Sequence, residues 1–184
     1  TSCELALGGA TVIACLAASS ELIGRAEKRR ETVKVHSGKI ISAYIYSNAS
    51  MGNSSADCAY SGHSMIAENG KLLAESVPFK SELLITDIVV QIISHDRMKN
   101  TSFRTEYGVD EVYFSQDQSE TEISRGIPKN PFIPSDKEAL DRRCSEILSI
   151  QANALARRIS HVNAKNIVVG ISGGLDSCLA LLVM

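Results

Sequence analysis

Near its C-terminal end the chain reads Ser172-Gly-Gly-Leu-Asp-Ser177: two hydroxyls, two adjacent glycines and a carboxylate within one short stretch. Residues 167–171 just before it are apolar and mostly β-branched, and they read as a buried strand of a parallel sheet. Residues 175–184 after it have a helical pattern. A strand, a Gly-Gly turn with positive φ and a helix N-terminus would together aim backbone N–H groups and a positive dipole end at one point. Such a point suits phosphate. No lysine follows the glycines as in a GxxxxGKS/T loop, and they are too close together for GxGxxG. Ser172 and Ser177 supply neutral hydroxyls instead. Asp176 adds a negative charge at an anion site, which makes sense if magnesium bridges it to the phosphates or if it caps the helix. The candidate nucleotide-binding residues are Gly170, Ile171, Ser172, Gly173, Gly174, Leu175, Asp176 and Ser177, with Asp176 the possible Mg2+ ligand. The competing reading is a Gly-Gly turn into a capped helix that needs no ligand.

The preceding chain must position this loop. Residues 11–17 read as a buried strand with Ser19 and Ser20 just past its end. Residues 24–39 read as a charged surface helix with sparse apolar positions at Ala26, Val33 and Val35. Residues 40–46 are a second strand, residues 48–62 a Ser/Asn/Gly-rich loop, and residues 65–74 a hairpin turning at Asn69-Gly70 with type I′ geometry. Residues 83–93 are expected to form another strand. The polar segment 117–134 carries Pro128, Pro131 and Pro134 and reads as a linker or wrapped arm. Ser135-Asp-Lys-Glu138 is a capping box for a helix running to about Ser160. Its buried face is expected from Ala139, Leu140, Ile147, Leu148, Ala152, Leu155 and Ile159.

The composition is that of an ordinary globular protein: 44% hydrophobic, 22% charged, formal net charge −2 over 184 residues. Nothing in that balance points to nucleic acid or a membrane surface, and no apolar run reaches transmembrane length. Cys3, Cys15, Cys58, Cys144 and Cys178 are an odd number without CxxC spacing. They suit reduced thiols of a cytoplasmic protein better than a disulfide frame or a zinc site. The absence of an initiator Met and a last helix without a cap suggest a piece of a longer protein.

The loop resembles the SGGxDS signature of the N-type ATP pyrophosphatases. Over nearly its whole length the chain is similar to the bacterial glutamine-dependent NAD synthetase family. The blocks that carry this are Gly9-Ala-Thr-Val-Ile13, Ala18-Ser-Ser-Glu-Leu-Ile-Gly-Arg-Ala-Glu-Lys-Arg29, Ala43-Tyr-Ile-Tyr46, Asp57-Cys-Ala-Tyr-Ser-Gly-His63, Met65-Ile-Ala-Glu-Asn-Gly70, Leu72-Leu-Ala-Glu-Ser76, Phe79, Pro131-Phe-Ile-Pro134, Arg143-Cys-Ser-Glu-Ile147, Gln151 and the loop itself. Their order is more specific than any single block. The chain departs from the family at 53–57, where Asn-Ser-Ser-Ala-Asp replaces Glu-Ser-Thr-Thr-Asp, and at Cys15, where Asn is common.

The resemblance implies an α/β protein in two parts. Residues 1–116 would be the C-terminal part of a nitrilase-like glutaminase domain, an α-β-β-α sandwich. Residues 117–134 would be a linker, and residues 135–184 the start of a doubly wound, adenine nucleotide alpha hydrolase-like synthetase domain. The implied reaction is ATP-driven amidation of nicotinic acid adenine dinucleotide with ammonia released from glutamine and channelled between domains. The implied cofactors are ATP and Mg2+, and the full-length protein is expected to be a homo-oligomer. Ser19 and Arg25 match family positions that hold glutamine, Arg25 through its carboxylate. A solvated cation at the helix start is the alternative for Arg25. The Cys nucleophile, Glu and Lys of the family are expected upstream of Thr1, so no catalytic residue is assigned in this stretch. Cys3 and Cys15 are read as unrelated to it, His36 and His63 as surface or hydrogen-bonded structural residues, and Asp57 as ordering its loop. Other enzymes with the same loop, of GMP or asparagine synthetase type, and an inactive interaction piece remain open.

Overall fold

The computed structural model describes all residues except 51, 54–57, 104–107, 117, 118, 120, 121 and 131. Asp57, most of the divergent 53–57 run and Pro131 therefore lie outside the described residues. The chain divides into two compact units, Thr1–Gly126 and Ile127–Met184.

The first unit is α/β. Thr1 opens it with a capping box: its side chain accepts from Glu4 N–H while the Glu4 carboxylate reaches back. That starts α1 (Ser2–Leu7), followed by β1 (Val12–Ala17), α2 (Arg25–Lys39), β2 (Ala43–Asn48), β3 (Met65–Glu68), β4 (Lys71–Glu75) and α3 (Val90–Lys99). The strands form one mixed sheet in chain order, β1 parallel to β2 and the others antiparallel. The β1–α2–β2 crossover covers the sheet with α2, whose Val33 is buried while Val35 points away. Val33 joins Ala6, Ile13, Ile40, Tyr44, Met65 and Ala67 in the core. The hairpin forms at Asn69 (φ 44°) and Gly70 (φ 83°), the paired positive angles of a type I′ turn.

Three sequence expectations shift in this unit. The first strand is not buried: β1 lies at the sheet edge, only its Ile13 is buried, and Leu16 is exposed. The second strand begins at Ala43, because Ile40 caps α2 and Ile41 turns the chain at φ 44°. Residues 83–93 are not a strand. Leu83 and Ile85 are exposed, and Val90 enters α3. Short apolar runs do not separate helix from strand by period alone. Here a helix wins because it places Ile93, fully buried, and Arg97 on one face four residues apart. Arg97 then donates to the carbonyls of Ala10 (2.7 Å) and Ile41 (2.8 Å) and lies over the Phe103 ring.

The second unit holds α4 (Lys137–Val162) and α5 (Leu175–Val183). The N-cap of α4 is Asp136 and not Ser135; its carboxylate accepts from Ala139 N–H at 2.8 Å. Of the seven expected face residues, Ala139, Leu140, Ala152, Leu155 and Ile159 are half-buried, Ile147 and Leu148 are exposed, and none is buried. The expected strand at 167–171 is likewise absent. A strand exists through its ladder partner, and all four strands seen among the described residues lie in the first unit. Val168 and Ile171 are exposed. Among the described residues no helix is long and apolar enough to cross a membrane.

Candidate functional site

Two sites emerge, one in each unit. In the first, the chain leaves β1 at Ala17 and crosses the top of the sheet before entering α2. Ser19 sits in this crossing, and Arg25 is the first residue of α2. Both line one cavity of about 260 Å³, together with Lys28, Arg29, Thr32, Val33, His36, Tyr44 and Tyr46. The α2 turn spacing explains the lining: residues 25, 28, 29, 32, 33 and 36 share one helical face. Arg25 and Lys28 bring a guanidinium and an ammonium group to the wall, the Arg29 charge being taken up by Glu21, and among the described residues no carboxylate lines it. An anionic group is the matching guest.

Arg25 is not a freely solvated cation. Its Nη1 donates to the Ser20 carbonyl and to Ser20 Oγ, both at 3.0 Å. That fixes the guanidinium at its Nη1 end. In the sequence Ser20 stands out only as lying past the strand; its role shows once the turn is folded. Burial pushes the Tyr44 hydroxyl well above its usual range, helped by a hydrogen bond with Cys15. His36 packs edge-on to Tyr44 at 4.9 Å and pairs with Ser2 Oγ at 2.8 Å.

Behind the cavity runs a buried polar network. Arg29 Nη1 donates to Glu21 Oε2 (3.0 Å) and to His63 Nδ1 (2.9 Å). His63 Nε2 meets Glu75 Oε1 at 2.7 Å, and both Glu75 oxygens accept from Arg30 Nε at 2.9 Å. Ser61 Oγ donates to Glu21. Burial alone would raise the Glu21 carboxyl, but the hydrogen bonds from Ser61 and Arg29 and the Arg29 charge hold it below the usual range. His63 is thus hydrogen-bonded and fully buried, not a surface residue. Nothing in the sequence joined residues 21, 29, 63 and 75. Cys15 packs against the core, and all five cysteines are free thiols.

In the second unit, Gly173 adopts φ 83° and Gly174 becomes the N-cap of α5. Ser172 and Ser177 face each other with Oγ atoms 3.3 Å apart, and Ser177 Oγ donates to the Gly174 carbonyl at 3.0 Å. Asp176 does not cap the helix; it lies in the first turn, where a carboxylate faces the positive dipole end. Among the described residues, apart from its chain neighbours, none comes within 4 Å of where a Gly173 Cβ would be. Gly170, Ile171 and Leu175 lead into and out of it. Among the described residues no group of three or more His, Cys, Asp or Glu is placed to hold a metal. The one carboxylate and two hydroxyls suit Mg2+ only where phosphate oxygens and water complete the shell.

No family model matches the chain. It is, however, 36% identical over 194 aligned positions to proteins named glutamine-dependent NAD(+) synthetase from Mycobacterium bovis and Mycobacterium tuberculosis, covering 99% of this chain and 29% of each of theirs. The Mycobacterium leprae synthetase gives the same identity over 28% of its length. These synthetases are homologues of this chain. The chain spans under a third of the length of the curated relatives it matches, and the match runs through both units and both sites.

Proposed function

We propose that the chain serves in glutamine-dependent NAD synthesis: ATP-driven amidation of nicotinic acid adenine dinucleotide with ammonia taken from glutamine. The carrying observation is the 36% identity along 99% of the chain to synthetases of that name. On this reading residues 1–116 belong to a nitrilase-like glutaminase domain, residues 117–134 to a linker, and residues 135–184 to an adenine nucleotide alpha hydrolase-like domain. The same reading has the reaction run in the cytoplasm, by a homo-oligomer.

Each site has a role that its chemistry supports. Arg25 binds the α-carboxylate of glutamine in bidentate fashion, and Ser19 adds a hydroxyl contact at the same end. The loop 170–177 takes the pyrophosphate portion of ATP on its backbone N–H groups, with Ser172 and Ser177 as donors. Mg2+ would be held by Asp176 and the phosphates, and it would neutralise charge as pyrophosphate leaves. A carboxylate is a poor electrophile until adenylated, so a loop that stabilises departing pyrophosphate favours that step.

The test is nitrogen-donor selectivity in the full gene product. Arg25→Ala is expected to raise the KM for glutamine at least tenfold, while NAD synthesis from ammonia stays near the native rate. Equal losses with both donors would show that Arg25 only supports the fold. No NAD formation from either donor by the unaltered protein would overturn the reading as a whole.

A further inference from the structure

The last residue of β2 is Asn48, opposite Ala17, where the ladder with β1 ends. The main chain makes one more bond beyond it, Ala49 N–H to the Ala17 carbonyl at 2.8 Å. The Asn48 side chain then continues the ladder. Its Oδ1 accepts from Ser19 N–H at 2.8 Å, and its Nδ2 donates to the Ser19 carbonyl at 3.0 Å. A carboxamide carries the same donor and acceptor pair as a peptide group, so Asn48 acts as one extra rung.

The rung is rigid. Asn48 is buried, its own N–H donates to Ser64 Oγ at 3.3 Å, and Tyr46 Oη lies 3.4 Å from Oδ1. Ser64 is fixed in turn by Ser76 Oγ, which accepts from Ser64 N–H at 2.8 Å. On the other flank the crossing is held by Glu21 N–H to the Ala59 carbonyl at 2.7 Å and by Arg25 on Ser20. Between these anchors Ser19 has both backbone polar groups committed, and among the described residues its hydroxyl has no hydrogen-bond partner while Ser19 lines the cavity.

We propose that Asn48 is the positioning residue for Ser19 in the glutamine site. This rests on the assignment of that cavity to glutamine. Asn48 does not touch the substrate; it determines where the Ser19 hydroxyl stands. No shorter or purely accepting side chain can fill both halves of the rung. Asn48→Asp would set a carboxylate against the Ser19 carbonyl, and Asn48→Ala would leave both Ser19 groups unpaired.

The experiment measures KM and kcat for glutamine, and NAD synthesis from ammonia, in the full gene product carrying Asn48→Ala, Asn48→Asp, Ser19→Ala or Arg25→Ala. The expected result is a rise of about tenfold in the KM for glutamine in both Asn48 variants, with the ammonia-driven rate unchanged. Combining Asn48→Ala with Ser19→Ala should add little, because both act through one hydroxyl. The nearly isosteric Asn48→Asp keeps the test alive if Asn48→Ala folds poorly. If Ser19→Ala raises KM but neither Asn48 variant does, the positioning role is wrong. Equal loss with both donors, or full additivity, would make Asn48 a structural residue and also overturn it. If Ser19→Ala and Arg25→Ala leave KM untouched, the glutamine assignment fails, and this proposal with it.

Discussion

His63 Nδ1 lies 2.9 Å from Arg29 Nη1, and both side chains are buried. A guanidinium has no acceptor, so His63 must accept at Nδ1 and carry its proton on Nε2, where it donates to Glu75. The contact specifies a single tautomer. Arg29 Nε and Nη2 have no hydrogen-bond partner among the described residues, so its charge depends on Glu21 and His63. His63→Ala would strip one of these and orphan Glu75 on the inner side. It is expected to cost about 2–4 kcal/mol of unfolding free energy. Arg30→Ala, which breaks a half-exposed pair with the same Glu75, should cost clearly less. Urea midpoints of the two variants decide it, and equal losses would contradict the picture of a buried network.

The same network makes the fold acid-sensitive. Arg30, against some burial and with help from His63, holds the Glu75 carboxyl below its ordinary value of 4.5, and Glu21 is likewise lowered. A folded-state value below the unfolded one means stability is present above the ordinary glutamate range. It is lost as pH falls through the lowered folded-state values. Stability is therefore expected to be flat above about pH 5 and to decline on acidification, with a shallower decline in Glu75→Gln. Urea unfolding at a series of acid pH values reads this directly. An identical acid slope in Glu75→Gln would remove Glu75 from the account.

Much of the first unit was legible because its signals are local. The Asn69-Gly70 turn, the β1 run and the charged α2 pattern each carry their own period or turn chemistry. The second strand was legible only in part, because Ile41 bends the chain at positive φ under the hold of Arg97, a residue 56 positions away. Residues 83–93 failed for a related reason: whether Ile93 points into the core from a strand or a helix depends on what it meets. At the site, Ser19 and Arg25 could be paired through a family pattern and do share a cavity. Ser20, Asn48 and the Glu21–Arg29–His63–Glu75 chain could not be, since their partners are brought together only by β-pairing and the crossover. The 167–171 run has the composition of a strand, yet composition cannot supply a ladder partner.

The close approach of α2 to the hairpin reverses an ordinary expectation. Gly38 lies near the end of α2, and a Cβ there would stand 3.2 Å from Gly70 Cα. Gly70 cannot yield easily, because it holds φ 83° in the turn while its N–H donates to Ser37 Oγ at 3.3 Å. Alanine in place of a helical glycine normally gains up to about 1 kcal/mol. Here Gly38→Ala is expected to lose about 1–2 kcal/mol through overpacking against backbone. Thermal unfolding checks the sign, and a stabilised variant would mean the hairpin can shift away.

The phosphate loop can be tested for conformation apart from charge. At Gly173 no described residue beyond its chain neighbours would meet an added Cβ, so substitution there acts through the φ of 83° and through whatever approaches the turn. Gly173→Val places a β-branched side chain where left-handed backbone is costly, and it fills the approach to the N–H groups of the turn. Asp176→Asn removes the one carboxylate of the loop while keeping its shape and its place in the first turn of α5. If the loop takes the pyrophosphate of ATP, Gly173→Val should cut ATP-dependent pyrophosphate release by about a hundredfold. Asp176→Asn should reduce it less and raise the Mg2+ concentration needed for half-maximal rate. Both should act equally with ammonia and with glutamine as donor, because adenylation precedes either. The measurement is pyrophosphate release by the full gene product across a Mg2+ titration. Near-native release from Gly173→Val would mean that the Gly-Gly pair merely turns the chain into α5.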